Sequence, residues 1–203
     1  MDFEAMLEFV KNTLESNHAI KPNNPLHQFR DRFMHIKRVY EWAKVIHEDL
    51  DVDLDVLYTA CIFHDVGYPK TDRDHAYNGA QIFKKYALEH NFDKDFIDKV
   101  YHMILVHSDK SYIKDPNSSN ELILLLEADL LDEEGALGIV WDFMAIGQVK
   151  GVTYYDAKEA LRHSKHILDQ DYMITPRAKQ IWKEKQDLVR LFDRELTKDL
   201  FEE

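Results

Sequence analysis

Apolar residues recur at helical spacing along most of the chain. A first helix is predicted over residues 3–15 by four apolar residues on one face, Met6, Leu7, Val10 and Leu14. The same period, bounded by capping residues, glycines and prolines, predicts further helices over about 26–50, 54–67, 74–89, 93–107, 121–132 and 134–146, and a last one from Thr175 to the C-terminus. The polar segment 108–120 is predicted to be an exposed loop.

No stretch of the sequence shows the apolar–polar alternation of a β-strand. Six glycines and five prolines are few for 203 residues, which favours long helices over a turn-rich fold. We therefore predict an all-α protein, a single helical bundle with no significant sheet, spanning residues 1–203. Its core is expected at about 27–147, with the N-terminal helix and the C-terminal helices packed on it.

The net charge of -12 argues against a nucleic-acid partner. A small anionic substrate would need local cations, either a metal or a few lysines and arginines. The first residues, MDFEAMLEFVKNTL, carry acids where a signal peptide has an apolar stretch, and runs such as 122–126 are too short to cross a membrane. The one cysteine, Cys61, excludes an internal disulfide. These features predict a cytoplasmic protein without a membrane partner.

The dipeptide His64-Asp65 ends an apolar helix just before Gly67. With 11 histidines in the chain, about one His-Asp pair is expected by chance, so the pair alone is weak. Either it is a solvated helix end, or both side chains enter a cavity.

Asp129 lies on the same helical face as Leu122, Leu125 and Leu126, which predicts a buried carboxylate. A buried charge must meet a cation, a donor network or a metal. An ion pair with an arginine distant in sequence and a metal site both remain open.

His35 lies in mid-helix beside the apolar face, with Arg32 and Arg38 one turn away on either side. By itself it fits a core histidine bonded to a backbone carbonyl. With His64, Asp65 and Asp129 it would complete a nitrogen and oxygen site for Mn, Fe, Mg, Co or Zn. The absence of sulfur ligands argues against a closed structural zinc site, and such a site leaves positions for water.

The order His35, His64-Asp65, Asp129 resembles the H…HD…D motif of the HD superfamily. The flanking sequences strengthen the resemblance: His-Ile-Lys-Arg-Val at 35–39, Phe-His-Asp-Val-Gly at 63–67 and Glu-Ala-Asp-Leu-Leu-Asp-Glu-Glu-Gly-Ala-Leu-Gly-Ile at 127–139. It covers residues 27–200 and is most specific around Asp129, where it is similar to small bacterial hydrolases that include nucleotide pyrophosphohydrolases. Two positions depart from that pattern. Glu127, expected to point away from the site, replaces the first aspartate of the pattern, and Leu130 replaces an arginine.

The resemblance implies a metal-dependent phosphohydrolase that uses a metal-activated water on phosphate esters or anhydrides, most simply nucleotides. It implies metal ligation by His35, His64, Asp65 and Asp129. His75 and His107 would bind a second ion, contact phosphate or act as general acid, or else merely cap a helix and face solvent.

Further candidates follow from charge and from closeness to these motifs. The catalytic set is Asp65, Lys70, His75 and Asp132, and the substrate-binding set is Arg38, Lys70, Arg73, His107 and Lys110. Two alternatives remain open, namely a dinuclear iron oxygenase of the HD fold and a non-catalytic regulatory module that binds metal and nucleotide. The sequence predicts no oligomeric state.

Overall fold

The computed structural model of the protein describes residues 1–48, 50–68 and 74–201. Over these residues the chain is helical and contains no strand, so the predicted all-α fold is confirmed. The helices are α1 (Phe3–Ser16), α2 (Arg32–Ile46), α3 (Leu54–Phe63), α4 (His75–Glu89), α5 (Lys94–Val106), α6 (Asn120–Asp132), α7 (Ala136–Ile146), α8 (Tyr154–Ala160), α9 (Arg162–Lys165) and α10 (Pro176–Asp199). None of the helices in this part of the chain is long and apolar enough to cross a membrane.

The helix predicted over 26–50 is shorter than expected. The side chain of Asp31 accepts a hydrogen bond from the Met34 amide and caps α2, while Pro25–His27 forms a separate 3-10 turn. The predicted loop 108–120 also contains a 3-10 turn, Lys110–Lys114, in which Ile113 is buried. Apolar periodicity locates helices better than it locates their ends, which capping side chains determine.

Residues 147–175, to which no element was assigned from the sequence, contain α8 and α9. Helix α8 begins with a capping box, in which Thr153 and Asp156 bond to each other's backbone amides. Neither helix exceeds seven residues, too short for a clear apolar period.

Helices α2, α3 and α6 pack against one another in the core, and α4 and α5 form a pair that packs on α3. Their buried faces are apolar, as shown by Ile36 and Val39 of α2 and by Leu124 and Leu125 of α6. This arrangement brings the first turn of α2, the end of α3 and the last turn of α6 to one place.

A close backbone approach joins α4 to the end of α3. A Cβ atom on Gly67 would lie 2.1 Å from both the Gly79 nitrogen and the His75 oxygen. Both neighbours are backbone atoms that cannot rotate away, so only glycine fits here. The contact places the first turn of α4, and with it His75, beside the residues that follow α3.

Candidate metal centre

His64 and Asp65 follow the last turn of α3 and are buried rather than solvated. His64 is fully buried, and its Nδ1 donates a hydrogen bond of 2.8 Å to the Cys61 carbonyl. Because that carbonyl accepts only, the proton must lie on Nδ1. The lone pair of Nε2 therefore points into the site.

His35 enters the same site from α2. Its Nδ1 donates to Asp132 Oδ2 over 2.8 Å, which turns Nε2 to within 3.2 Å of both His64 Nε2 and Asp129 Oδ1. Two imidazole nitrogens and a carboxylate oxygen thus meet, and no lysine or arginine of the described residues lies between them. Groups that only accept hydrogen bonds repel one another at such distances unless a proton or a metal ion lies among them. The donor set therefore fits a divalent ion.

Asp129 is less buried than the sequence predicts, since 18% of its side chain is exposed. Its second oxygen, Oδ2, lies 2.5 Å from the Lys110 ammonium, which also donates to the His107 carbonyl over 3.0 Å. The ion pair left open as an alternative by the sequence is thus formed with a lysine rather than an arginine. One carboxylate oxygen faces the histidines and the other faces a fixed cation.

A second group lies on the other side of Asp65. Asp65 Oδ1 is 3.3 Å from His107 Nε2 and 3.7 Å from His75 Nε2, and these two nitrogens are 3.2 Å apart. Asp65 Oδ2 faces the first group, 3.7 Å from His35 Nε2. The carboxylate of Asp65 therefore stands between two clusters of metal-ligating atoms.

His107 is buried, so the alternative that it faces solvent is wrong. It follows the last turn of α5 as His64 follows α3, and its Nδ1 donates to the Ile104 carbonyl over 2.6 Å. His75 is the first residue of α4, after the N-cap position Asp74, and its ring stacks on that of Tyr68 with the ring centres 4.3 Å apart.

Within the described residues, this site contains two groups of side chains that could bind a metal. In each group the ligand atoms lie within 4.8 Å of one another: His35, His64 and Asp129 form the first, and Asp65, His75 and His107 the second. A further such group combines His35 with Asp132 and Glu133. Asp132 in that group already accepts hydrogen bonds from Arg38 at 2.6 and 2.8 Å and from His35, and its side chain is fully enclosed. Asp132 is therefore placed to orient His35 rather than to face the cavity.

The two histidines of the first group have pKa values that are shifted in opposite directions. Burial lowers the pKa of His64 to about 4, so its ring is neutral at physiological pH. Burial also opposes charge on His35, but hydrogen bonds with Asp129 and Asp132 outweigh it and raise the pKa of His35 to about 9. The pKa of Asp65 is depressed despite burial, chiefly by His64 and His107.

We expect binding of a divalent ion to release about one proton, from His35. Without metal this ring is protonated below about pH 9, whereas the ion needs its neutral form. Because His35 must lose its proton, the apparent metal affinity should rise about tenfold per pH unit until about pH 9. Calorimetric titration with Mn²⁺ in buffers of different ionisation enthalpy measures the proton count. No net proton release near pH 7 would contradict the expectation.

A cleft of about 300 Å³ lies beside the two groups, between the start of α2 and α7. His35 and Asp65 lie in its wall together with three arginines, Arg30, Arg32 and Arg38. The remainder comprises the acids Asp31 and Glu133 and the apolar residues Pro22, Phe29, Met34, Leu137, Val140, Trp141 and Met144. Of the predicted substrate-binding residues, Arg38 lines the cleft and Lys110 contacts Asp129, whereas Lys70 and Arg73 lie outside the described residues.

Sequence reasoning did not single out Arg30 or Trp141. The available signal was α7 itself, whose sequence Ala-Leu-Gly-Ile-Val-Trp-Asp-Phe-Met-Ala-Ile is apolar on nearly every face. A helix of this kind has more apolar surface than one core contact covers, which indicates a second apolar environment.

A family model described as HD domain matches residues 32–134, and the chain belongs to the HD domain family. The matched segment contains both groups of candidate ligands. YpgQ of Bacillus subtilis, described as an uncharacterized protein, is 29% identical to this chain over 170 residues, which is 82% of each protein.

Solved structures share the fold over nearly the whole chain. Bacillus subtilis YpgQ in complex with ADP aligns with a TM-score of 0.68 at 24% identity, covering 97% of this chain and 94% of that one. An HD-superfamily hydrolase from Bacillus thuringiensis aligns with a TM-score of 0.72 at 22% identity, covering 99% and 97%. At these identities the likeness concerns the fold.

Proposed function

We propose that the protein is a metal-dependent phosphohydrolase that acts on nucleotides with two divalent ions. The observation that carries the proposal is the position of Asp65 between two clusters of acceptor atoms beside an arginine-lined cleft. His35, His64 and Asp129 would bind one ion, His75 and His107 the other, and Asp65 would lie between them. All donors are nitrogen or oxygen, which leaves Mn, Fe, Mg, Co and Zn as candidates.

Divalent ions at these positions would lower the pKa of water and offset charge on a phosphoryl group. The chain itself contributes orientation and charge. Asp132 fixes the ring of His35, and backbone carbonyls fix His64 and His107, so the ligand atoms need not reorganise when an ion binds. Lys110 occupies one oxygen of Asp129 and leaves the other for the ion.

The nucleotide assignment rests on the cleft and on one relative. Guanidinium groups suit phosphate oxygens, and apolar side chains next to them suit a base and sugar. The relative YpgQ has been crystallised in complex with ADP. A dinuclear iron oxygenase could use the same ligand set, but the relative that binds ADP and the arginines of the cleft favour a nucleotide substrate and phosphate chemistry.

The decisive experiment combines metal analysis with a substrate screen. The protein as purified is analysed for metal, then incubated with nucleoside mono-, di- and triphosphates and Mn, Mg, Co or Fe while phosphate, pyrophosphate and oxygen are followed. We expect about two ions per chain and release of phosphate or pyrophosphate. Oxygen consumption without phosphate release would identify the oxygenase, and tight nucleotide binding without turnover under any metal would identify a regulatory module.

Asp129→Ala should lose metal and at least about 100-fold in activity. Asp98→Ala is the matched control because it also removes a lysine-paired carboxylate, that of the exposed pair with Lys94 on α5. Full activity in Asp129→Ala would refute the proposed centre.

A further inference from the structure

Arg30 occupies the boundary between the polar and apolar parts of the cleft. Its guanidinium carbon lies 3.7 Å above the ring centre of Trp141, and its Nη2 is paired with the carboxylate of Glu133. The pair fixes the plane of the guanidinium against the indole. The side chain remains 31% exposed and lines the cleft, so part of this flat cation is accessible to a ligand.

The other two arginines of the cleft are bound to the centre itself. Arg38 makes two hydrogen bonds to Asp132, and Arg32 lies 3.8 Å from Asp65 Oδ2 and donates to the Ala19 carbonyl. Of the three cleft arginines, Arg30 is therefore the one that packs on an aromatic ring of the apolar lining, that of Trp141.

The apolar wall of the cleft, formed by Met34, Leu137, Val140, Trp141 and Met144, exposes much of its apolar surface to water. Met34, Leu137, Val140 and Met144 are 46%, 39%, 51% and 47% exposed, and all of them line the same cleft as His35 and Asp65. Water-exposed apolar side chains that continue into a charged site are typical of a ligand groove, because a bound apolar group removes them from water. The occupant must be apolar at one end and anionic at the other.

We propose that the wall along α7 is the subsite for the aromatic ring of the substrate and that Arg30 determines specificity there. The ring stacks on the exposed part of the Arg30 guanidinium, opposite Trp141, while the phosphate chain extends toward His35 and Asp65. The inference rests on the proposed function and makes it specific: the protein distinguishes nucleotides from phosphate compounds that lack a ring. Glu133 neutralises Arg30, so Arg30 contributes planar stacking more than charge to binding.

Binding of two non-hydrolysable ligands tests this subsite. One is an α,β-methylene nucleoside diphosphate, which has no P–O–P anhydride to cleave, and the other is methylenediphosphonate, which has the same phosphorus–carbon–phosphorus unit without a ring. Both are titrated calorimetrically into the Mn²⁺-loaded protein. We expect the nucleotide analogue to bind at least about tenfold more tightly, since stacking of one base changes affinity by roughly five- to a hundredfold.

Trp141→Leu and Arg30→Lys should each weaken binding of the nucleotide analogue by about tenfold. Arg30→Lys retains the charge but loses the plane, and it does not remove a core side chain. Methylenediphosphonate should keep its affinity within about twofold in both variants. Trp42→Leu is the matched control, because Lys185 also covers this indole, at 4.8 Å, yet Trp42 does not line the cleft. It should leave both affinities unchanged.

Each outcome bears on the subsite separately from hydrolysis. Equal binding of the two ligands by the unmodified protein, no binding of either, or an equal loss for both ligands in the variants would overturn the inference. A protein that releases no phosphate from any nucleotide but keeps the ring-dependent difference would refute the proposed hydrolysis and still support the subsite.

Discussion

Asp65→Asn is expected to remove both metal ions at once and to lower kcat about 1,000-fold or more. The Asp65 carboxylate is the group that both clusters share, with Oδ1 3.3 Å from His107 Nε2 and Oδ2 3.7 Å from His35 Nε2. Asparagine offers one neutral oxygen and an amide that donates, so it cannot serve two cations. Loss of a single charge-stabilising group commonly costs about 100- to 1,000-fold, and here two ions depend on one carboxylate. The measurements are metal content per chain and phosphate release.

Two companion variants make the result specific to the shared position. Asp129→Asn should remove the ion of the first group and leave the second, whereas His107→Gln should do the reverse. Asp65→Asn with two ions still bound would contradict a bridging role, and loss of both ions in all three variants would indicate that the clusters bind metal only as a unit. Melting temperatures of the metal-free proteins separate these losses from unfolding.

The sequence locates the first cluster well because its members follow helical periodicity. His35 and Asp129 lie on the core-facing sides of α2 and α6, and His64 ends the apolar run of α3. Packing these three helices against one another brings the residues together. The metal-binding role of these residues stays a prediction, but their convergence follows from the pattern.

The surroundings of the cluster depend on contacts that no local pattern encodes. The pair between Lys110 and Asp129 requires a 3-10 turn inside a segment whose composition predicts only a loop. The stack of Arg30 on Trp141 joins residues from distant parts of the chain. His64 and His107 share one local arrangement, a histidine after the last helical turn that bonds to the carbonyl three residues before it. The sequence contains this recurrence as Cys-Ile-Phe-His and Ile-Leu-Val-His, but only the structure shows that both histidines make the same hydrogen bond.

Glu127→Leu is expected to destabilise the fold by about 3 kcal/mol or more without removing metal. Glu127 lies two residues before Asp129 on α6 but points away from the site, as predicted, and is fully buried. Its carboxylate accepts hydrogen bonds from the amides of Ile174 and Thr175 and from the Thr175 hydroxyl, at 2.5, 2.9 and 2.5 Å. Thr175 is the N-cap of α10 and makes no capping bond with its own side chain; its amide and hydroxyl bond instead to Glu127, which anchors the start of α10 to α6.

Leucine in this position would leave the buried amide and hydroxyl of Thr175, and the partly buried amide of Ile174, without this acceptor, and each unsatisfied buried donor costs about 1–3 kcal/mol. For a chain of this size, a loss of about 3 kcal/mol lowers Tm by about 6–12 °C. Glu127→Gln is the matched control. Burial already raises the pKa of this carboxyl, and the glutamine oxygen keeps an acceptor for the amides, so we expect a much smaller loss. Thermal unfolding with metal analysis separates the roles of Glu127 and Asp129: Glu127→Leu should lose stability and keep its ions, while Asp129→Asn should lose an ion. Equal metal loss in both variants would place Glu127 in the centre rather than in the fold.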